Sequence, residues 1–304
     1  MEYRHQCHVG DHGDALKHPV LSALVQSLMQ QHSRLNVIDT HSGTGCYDLT
    51  TAPSNHAGEF AEGVGYLWRN KAYLPPAFAS FLSVLEYYNP NQLISLYPNQ
   101  LISLYPNQLI SLYPGSAAIT YQQGRSQDSF YFSDIQQDEA DLLQTNIEKL
   151  QCNLDISSKL TISAGDGLKA LPDDVAKHDN HHLIVIDPPY ETDSEYLAVI
   201  DALVKAYQQS EKVSALIWYP LYTDDKSSLI LNHCVTAVKD GLLPSPIKSE
   251  LRLRDPKGDD RLIGSGLLLF NPPQGIAGTV ADTLDYLHSQ LATNGEGYWQ
   301  MRSL

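Results

Sequence analysis

Short apolar runs that stop at an acid or a glycine, each followed by a stretch of helical periodicity, constrain this chain more than any other feature of its sequence. The first run is Leu35-Asn36-Val37-Ile38-Asp39, and it breaks at Thr40-His41-Ser42-Gly43-Thr44-Gly45. Residues 130–135, 160–163, 183–186, 215–218, 250–254 and 266–270 read as further strands. Helical patterns lie near 16–32, 138–151, 193–209, 224–240 and 277–291; in the third, Tyr196, Ile200, Leu203, Val204 and Tyr207 recur at three- and four-residue steps. This alternation predicts an α/β fold, a mostly parallel sheet with helices on both faces. Ligands of such sheets gather at the carboxyl ends of the strands, where the chain order reverses. With 304 residues, 42% of them apolar, the chain can bury a sizeable core, and residues 1–304 read as one domain.

Two segments interrupt the alternation. Residues 58–88 read as helices with no strand between them, broken at Pro75-Pro76, and suggest a small helical insertion spanning 49–112. Within it Pro-Asn-Gln-Leu-Ile-Ser-Leu-Tyr occurs three times without a gap, at 90–97, 98–105 and 106–113. Solenoid repeats are longer than this, so a tandem duplication accommodated in a surface loop is the simpler reading. One copy is then expected to lead into Pro114-Gly115-Ser116 while two bulge outward. Each copy is uncharged and strand-like, so the extra ones could promote association at a sheet edge.

Charge limits the partners. Twenty Lys and Arg against 35 Asp and Glu give a net charge of −15, the wrong sign for a protein that grips nucleic acid mainly through phosphates. Any nucleic-acid contact therefore calls for a local positive groove. The densest basic stretch, 248–261, has Glu250, Asp255, Asp259 and Asp260 among its cations and reads as a solvated strand and loop. Cys7, Cys46, Cys152 and Cys234 have no paired spacing, which points to free thiols rather than to a zinc cage or disulfides. No apolar run approaches membrane-spanning length. Met1-Glu2-Tyr3-Arg4-His5 lacks a signal peptide's apolar stretch, so a cytoplasmic location is expected.

The most specific chemical signal is Asp187-Pro188-Pro189-Tyr190, directly after Leu183-Ile184-Val185-Ile186. Two prolines remove two backbone donors and fix two φ angles, so the strand must end there. What remains is a stiff corner displaying a carboxylate, free carbonyls and an aromatic ring. The Asp187 carboxylate and the Pro188 carbonyl can each accept one hydrogen of an exocyclic amino group, while Tyr190 stacks on the planar ring that bears it. The amino nitrogen is then set to attack an electrophilic carbon, and Asp187 need only be a weak base. Asn271-Pro272-Pro273-Gln274 also follows an apolar run but has no ring in the fourth position, so it reads as a strand terminator.

Other strand ends describe a cofactor pocket. Gly43 and Gly45 allow close backbone approach, and Asp48 stands where a dinucleotide fingerprint would place a third glycine, which disfavours a pyrophosphate ligand. Asp134 closes the second strand and can accept two ribose hydroxyls. Asp166, beside Gly167, closes the third and can accept an adenine amino hydrogen. Acids also suit a sulfonium cation. Together they describe a site for S-adenosylmethionine (SAM). The first 18 residues hold Tyr3, His5, His8, His12 and His18 with Asp11, Asp14 and Lys17. Their spacing fits no standard metal site, and a polar arm closing over a cofactor, residues 1–18, accounts for them better.

In order along the chain, Tyr3-Arg4-His5, residues 10–18, Asp39 to Gly45, Tyr113-Pro114-Gly115-Ser116, Ile186 to Tyr190, Tyr219-Pro220 and Asn271-Pro272-Pro273 resemble the RlmJ-type bacterial 23S ribosomal RNA adenine-N6 methyltransferases. The resemblance runs almost end to end. It implies a Rossmann-like SAM-dependent methyltransferase, monomeric, without metal, that methylates one adenine of protein-poor 23S ribosomal RNA. Carried over by motif, His18, His41, Ser116, Asp134, Asp166, Gly167 and Asp187 contact the cofactor. Asp187 is the proton acceptor, with Pro188 and Tyr190 completing the catalytic corner. Tyr3 helps to hold the substrate, and His5 and Lys17 belong to the same lid. Asp134 departs from the family's usual Glu and is one methylene shorter. The Asp-Pro-Pro-Tyr corner by itself also allows a DNA adenine or a glutamine amide as substrate, or a SAM- or RNA-binding module without turnover.

Overall fold

The computed structural model describes residues 9–49, 57–90, 110–255, 262–292 and 295–304. Helix α1 (His12–Gln31) precedes β1 (Leu35–Asp39) and β2 (Cys46–Asp48). Helices α2 (Ala57–Glu62), α3 (Val64–Arg69) and α4 (Ala79–Tyr88) follow, with two 3-10 turns before α4. Then come β3 (Leu112–Pro114), α5 (Ser116–Gln122), β4 (Ser129–Asp134), α6 (Gln137–Leu154), β5 (Lys159–Ala164), α7 (Gly167–Ala176) and β6 (His181–Ile186). The rest is α8 (Asp193–Gln209), β7 (Val213–Tyr222), α9 (Ser227–Lys239), β8 (Ile247–Arg252), β9 (Leu262–Phe270), α10 (Ile276–Leu291) and β10 (Tyr298–Ser303).

Eight strands form one sheet in the order β10-β8-β9-β7-β6-β1-β4-β5. Strands β7, β6, β1, β4 and β5 are parallel, and β9, β8 and β10 extend the β7 edge antiparallel. This is the mostly parallel α/β sheet that the alternation predicts. The chain runs from β1 outward to β4 and β5, then crosses back to lay β6 on the other side of β1. The reversal therefore falls beside β1, whose five residues are all buried. Successive β1 residues point to opposite faces: Val37 packs in the core that holds Leu16, Leu21 and Leu284, and Ile38 in the core that holds Tyr196, Ile200 and Leu203. The Tyr196, Ile200 and Leu203 stripe read from the α8 sequence is fully buried.

Helix α1 starts earlier than its periodicity suggests, because Asp11 caps it. The Asp11 Oδ1 accepts from the N–H groups of Gly13 at 2.8 Å and Asp14 at 3.0 Å. Residues 12–18, expected in a polar arm, are thus the first turns of a helix, with Asp14, Lys17 and His18 buried. Tyr3, His5 and the rest of 1–8 lie outside the described residues. The expected solvated strand at 248–254 is also corrected. Lys248 and Glu250 are buried and paired at 2.8 Å, and Glu250 accepts the Tyr219 hydroxyl at 3.0 Å. The cause is β10, which carries no alternation the sequence analysis recognised and which covers the β8 edge.

Between β1 and β4, the short ribbon of β2 and β3 brackets the helices α2 to α4. Asn89, at the end of α4, accepts from the N–H groups of Ser111 at 3.1 Å and Leu112 at 3.2 Å and donates to the Leu112 carbonyl at 2.9 Å. Leu112 and Tyr113, which end the third octad copy, lie in β3. The chain thus leaves this layer and returns to it at a single polar clasp. Residues 91–109, most of the repeat, lie outside the described residues. Cys46, Cys152 and Cys234 are free. Among the described residues no helix is long and apolar enough to cross a membrane.

Candidate active site

The turn after β1 is pinned by its neighbours. The Thr40 N–H donates to Val185 O at 3.1 Å, Ser42 N–H to Ser133 O at 2.9 Å, and Gly43 N–H to Asp134 Oδ2 at 3.1 Å. Gly43 has φ +53°, and a Cβ there would lie 2.2 Å from the Tyr47 hydroxyl, so the position requires glycine. Asp39, fully buried, accepts the His41 N–H at 3.2 Å through Oδ1, while its Oδ2 has no hydrogen-bond partner among the described residues. Burial pushes the Asp39 carboxyl up to about 6, against the nearby Ser116 hydroxyl, the His41 N–H and the Lys17 charge. Burial also pulls His41 down to about 4, although Asp187 and Asp166 oppose it, so the imidazole is neutral near pH 7.

From the other side, α1 contributes Lys17 and His18. Lys17 is 3% exposed and bridges Asp14 at 3.0 Å and Asp187 Oδ2 at hydrogen-bond distance. Burial alone would pull its ammonium down, but the two carboxylates outweigh burial and raise it above its ordinary value. Lys17 is therefore a permanent cation bonded to the candidate catalytic acid. The His18 Nδ1 lies 2.5 Å from the Tyr113 hydroxyl, which ties α1 to β3 and to the turn before Ser116.

The Asp187-Pro188-Pro189-Tyr190 corner ends β6, beside the strand reversal. Asp187 is partly open, Pro188 is buried, and Tyr190 turns the chain with φ +53°, a left-handed conformation that is costly for a bulky residue. Its hydroxyl donates to Trp218 O at 2.7 Å, and its ring packs against Tyr196 at 4.5 Å between centroids. With only 5% of its surface exposed, the ring lines neither cavity described below. The second Pro-Pro pair lies at the opposite end of the sheet. It follows antiparallel β9, and the Asn271 carbonyl and side chain bond to Ser214 and Val213 at the start of β7.

One cleft, about 100 Å³ in volume, collects Lys17, His18, His41, Ser116, Asp134 and Asp187 from five separate segments. Asp166 and Gly167 are set back from it. Asp166 caps α7 and pairs with exposed Lys169 at 3.0 Å; burial would raise its carboxyl, but Lys169 holds it below its ordinary value. Gly167 has a local reason for its identity, because a Cβ would lie 2.3 Å from the Thr40 carbonyl. The cleft also includes Tyr47, Ile135, Gln136 and Glu139, which the sequence analysis missed. Ile135 could have been found: it directly follows the strand-ending acid, and a 72% exposed isoleucine there gains nothing from folding alone. Tyr47 sits in the unforeseen ribbon, and no pattern in the sequence signals it.

Residues 32–303 match the family described as "Ribosomal RNA large subunit methyltransferase D, RlmJ". The chain belongs to the RlmJ family. "Ribosomal RNA large subunit methyltransferase J" of Escherichia coli strain K12 is 26% identical over 302 residues, covering 98% of this chain and 96% of its own length. The protein of the same name from Haemophilus influenzae is 27% identical over 301 residues, covering 98% and 97%. A crystallised protein of Legionella pneumophila shares the fold, with a TM-score of 0.77 at 24% identity and coverage of 97% and 98%. Family membership makes this chain a methyltransferase.

Beside the cleft of this RlmJ-family chain opens a second cavity of about 970 Å³. Pro189 lines both, so the Pro-Pro corner is a shared wall. Among the described residues, the lining of the second cavity is not the positive groove that the net charge calls for. It has Arg69 and Arg254, but Arg254 lies 3.5 Å from Glu62, and Asp11, Glu59 and Glu296 line the same cavity. Among the described residues, no group of His, Cys, Asp and Glu is placed to hold a metal ion.

Proposed function

We propose that this protein transfers the methyl group of SAM to N6 of one adenine in 23S ribosomal RNA, as a cytoplasmic monomer acting on protein-poor RNA. The observation that carries the reading is the position of the Asp187 corner. Its carboxylate faces the acceptor-rich cleft and its second proline borders a cavity of nucleotide size. The names of the two curated relatives support the ribosomal substrate.

The cleft residues fit SAM by their chemistry. His41 is neutral, Asp134 stands at a strand end, and Glu139 and Asp187 add two more carboxyl groups to the lining. Such a set suits a ligand that offers an ammonium, a sulfonium and ribose hydroxyls. His41, Ser116 and Asp134 would hold it, with Asp166 and Gly167 behind them and His18 fixing the α1 side. When bound, SAM supplies an electrophilic methyl carbon.

The chain itself orients the nucleophile and takes the proton. Lys17 occupies Asp187 Oδ2, which leaves Oδ1 for one hydrogen of the adenine amino group. The Pro188 carbonyl takes the other. The methyl carbon would exchange its bond to the SAM sulfur, leaving S-adenosylhomocysteine, for one to the amino nitrogen, and the proton that nitrogen loses would pass to Asp187 Oδ1. With few free cations among the described residues of the neighbouring cavity, recognition rests on the base more than on phosphates, and Tyr3 and His5 add substrate contacts from the N-terminal segment. The test is transfer of labelled methyl from SAM to deproteinised ribosomal RNA, to DNA and to a glutamine-containing peptide. Label is expected on RNA only and is lost in Asp187→Ala. Label on DNA or peptide instead of RNA, or full-rate labelling by Asp187→Ala, overturns the reading.

A further inference from the structure

Resting on the SAM reading above, we propose that Tyr47 is the positioning residue of the cofactor cleft: one buried ring sets the spacing between the turn that carries His41 and the turn that carries Ser116. Both turns close on it. The Tyr47 hydroxyl stands over Gly43, where a Cβ would lie 2.2 Å from it, and the ring edge stands against Gly115, where a Cβ would lie 3.2 Å from Cε2. The two turns also meet directly, because the Gly115 N–H donates to Gly45 O at 2.9 Å. Gly43 gives its own N–H to Asp134 Oδ2 at 3.1 Å, which ties a third residue of the cleft to the same contact. With 6% of its surface exposed, Tyr47 lines the 100 Å³ cleft as part of the core.

The place of Tyr47 is itself fixed. In the ribbon, Cys46 pairs with Pro114 and Tyr47 with Tyr113, whose hydroxyl lies 2.5 Å from His18 Nδ1. From α6, Asn146 donates to the carbonyls of Thr44 at 2.9 Å and Cys46 at 3.3 Å, which flank Gly45. Burial, with the Glu139 and Asp14 carboxyls nearby, pushes the Tyr47 phenol above its ordinary value, so the ring brings bulk and no charge to the cleft. His18, His41, Ser116 and Asp134 are thus all joined, directly or through one neighbour, to the ribbon that holds this ring. A site held in this way is preorganised for its ligand, and a displacement of about 1 Å in such a wall can cost roughly a hundredfold.

Calorimetric titration with S-adenosylhomocysteine tests the role, and a rescue tests the contact behind it. Tyr47→Leu is expected to raise the Kd for S-adenosylhomocysteine roughly 10- to 100-fold, while KM for RNA, measured by methyl transfer at saturating SAM, keeps its wild-type value. A general loosening of the fold would raise both. Gly43→Ala places its methyl group on the Tyr47 hydroxyl, whereas the next atom, Cζ, is 3.5 Å away, an ordinary contact. Gly43→Ala should therefore bind S-adenosylhomocysteine more weakly, and adding Tyr47→Phe to it should recover most of the loss. The remainder is the strain of alanine at φ +53°. A wild-type Kd in Tyr47→Leu, an equal rise in Kd and in KM for RNA, or a double variant that binds no better than Gly43→Ala overturns the inference; if Tyr47→Leu does not fold, the rescue decides alone. A wild type that binds no S-adenosylhomocysteine overturns the SAM reading instead. The melting temperatures of Gly43→Ala and of the double variant then decide whether the Tyr47 hydroxyl sets the turn.

Discussion

Replacing Lys17 by Met tests the ion triad at the centre of the site. The ammonium is 3% exposed and lies between Asp14, itself 2% exposed, and Asp187. Removing one partner of a buried pair leaves its counter-charge uncompensated, at a cost of about 3–5 kcal/mol. The lower end applies here. Asp14 keeps the Gly10 N–H at 2.7 Å, and the Asp187 side chain is 15% exposed. Lys17→Met should therefore lose about 3 kcal/mol, roughly a hundredfold in the folding equilibrium. The pH dependence is specific. Lys17 is raised above its unfolded value, so its stabilising share is fully present at neutral pH and is lost only in strong alkali. In Lys17→Met the deficit belongs to stranded carboxylates, which take up protons more readily, so it should shrink as pH falls from 7 to 5. Urea unfolding at pH 7, 6 and 5, with unchanged m-values, measures this. A deficit below about 1 kcal/mol at pH 7, or one that widens toward pH 5, would show that Lys17 does not stabilise the fold by compensating buried carboxylates.

The remaining predictions test other parts of the frame. His181, stacked on His32 at 4.0 Å, and His182 are both pulled down to about 4, first by burial and then by neighbouring charges. Because the unfolded chain protonates first, stability should fall as pH drops from about 6.5 toward 4, and His181→Gln should flatten that slope in acid-unfolding curves; an unchanged slope excludes the pair as the cause. Gly167→Ala must move the Thr40 turn, so it should weaken SAM binding by calorimetry and lower the melting temperature; wild-type values for both would show that the turn yields freely. Tyr190→Phe loses the bond to the Trp218 carbonyl and should cost about 1 kcal/mol of stability in urea unfolding; wild-type stability would show that this bond does not hold the corner.

Much of the frame was legible from local pattern. Strands β1, β4, β6, β7 and β9 announced themselves as apolar runs, and the chemistry-bearing residues sat just past their ends, where a parallel sheet displays them. The partners of those residues were not legible. That Lys17 reaches Asp187 depends on how α1 lies across the sheet, 170 residues away in sequence. The burial of Lys248 and Glu250 depends on β10, an edge strand whose mixed polar and apolar residues give no alternation. The Asp11 cap was visible as a residue type, yet His12 to His18 are polar enough to mimic a loop. Tyr190 was legible as an aromatic after Pro-Pro, whereas its packing against Tyr196 and Trp218 was not.

The proposed role of the Asp187 corner is to hold an adenine amino nitrogen for methylation. The most direct measurement is the identity of the product nucleoside after labelled SAM and deproteinised 23S ribosomal RNA are incubated with the protein, digested and resolved by mass. A single labelled nucleoside, N6-methyladenosine, is expected, and it disappears with Asp187→Ala. Label in a methylated cytidine, guanosine or ribose would contradict it.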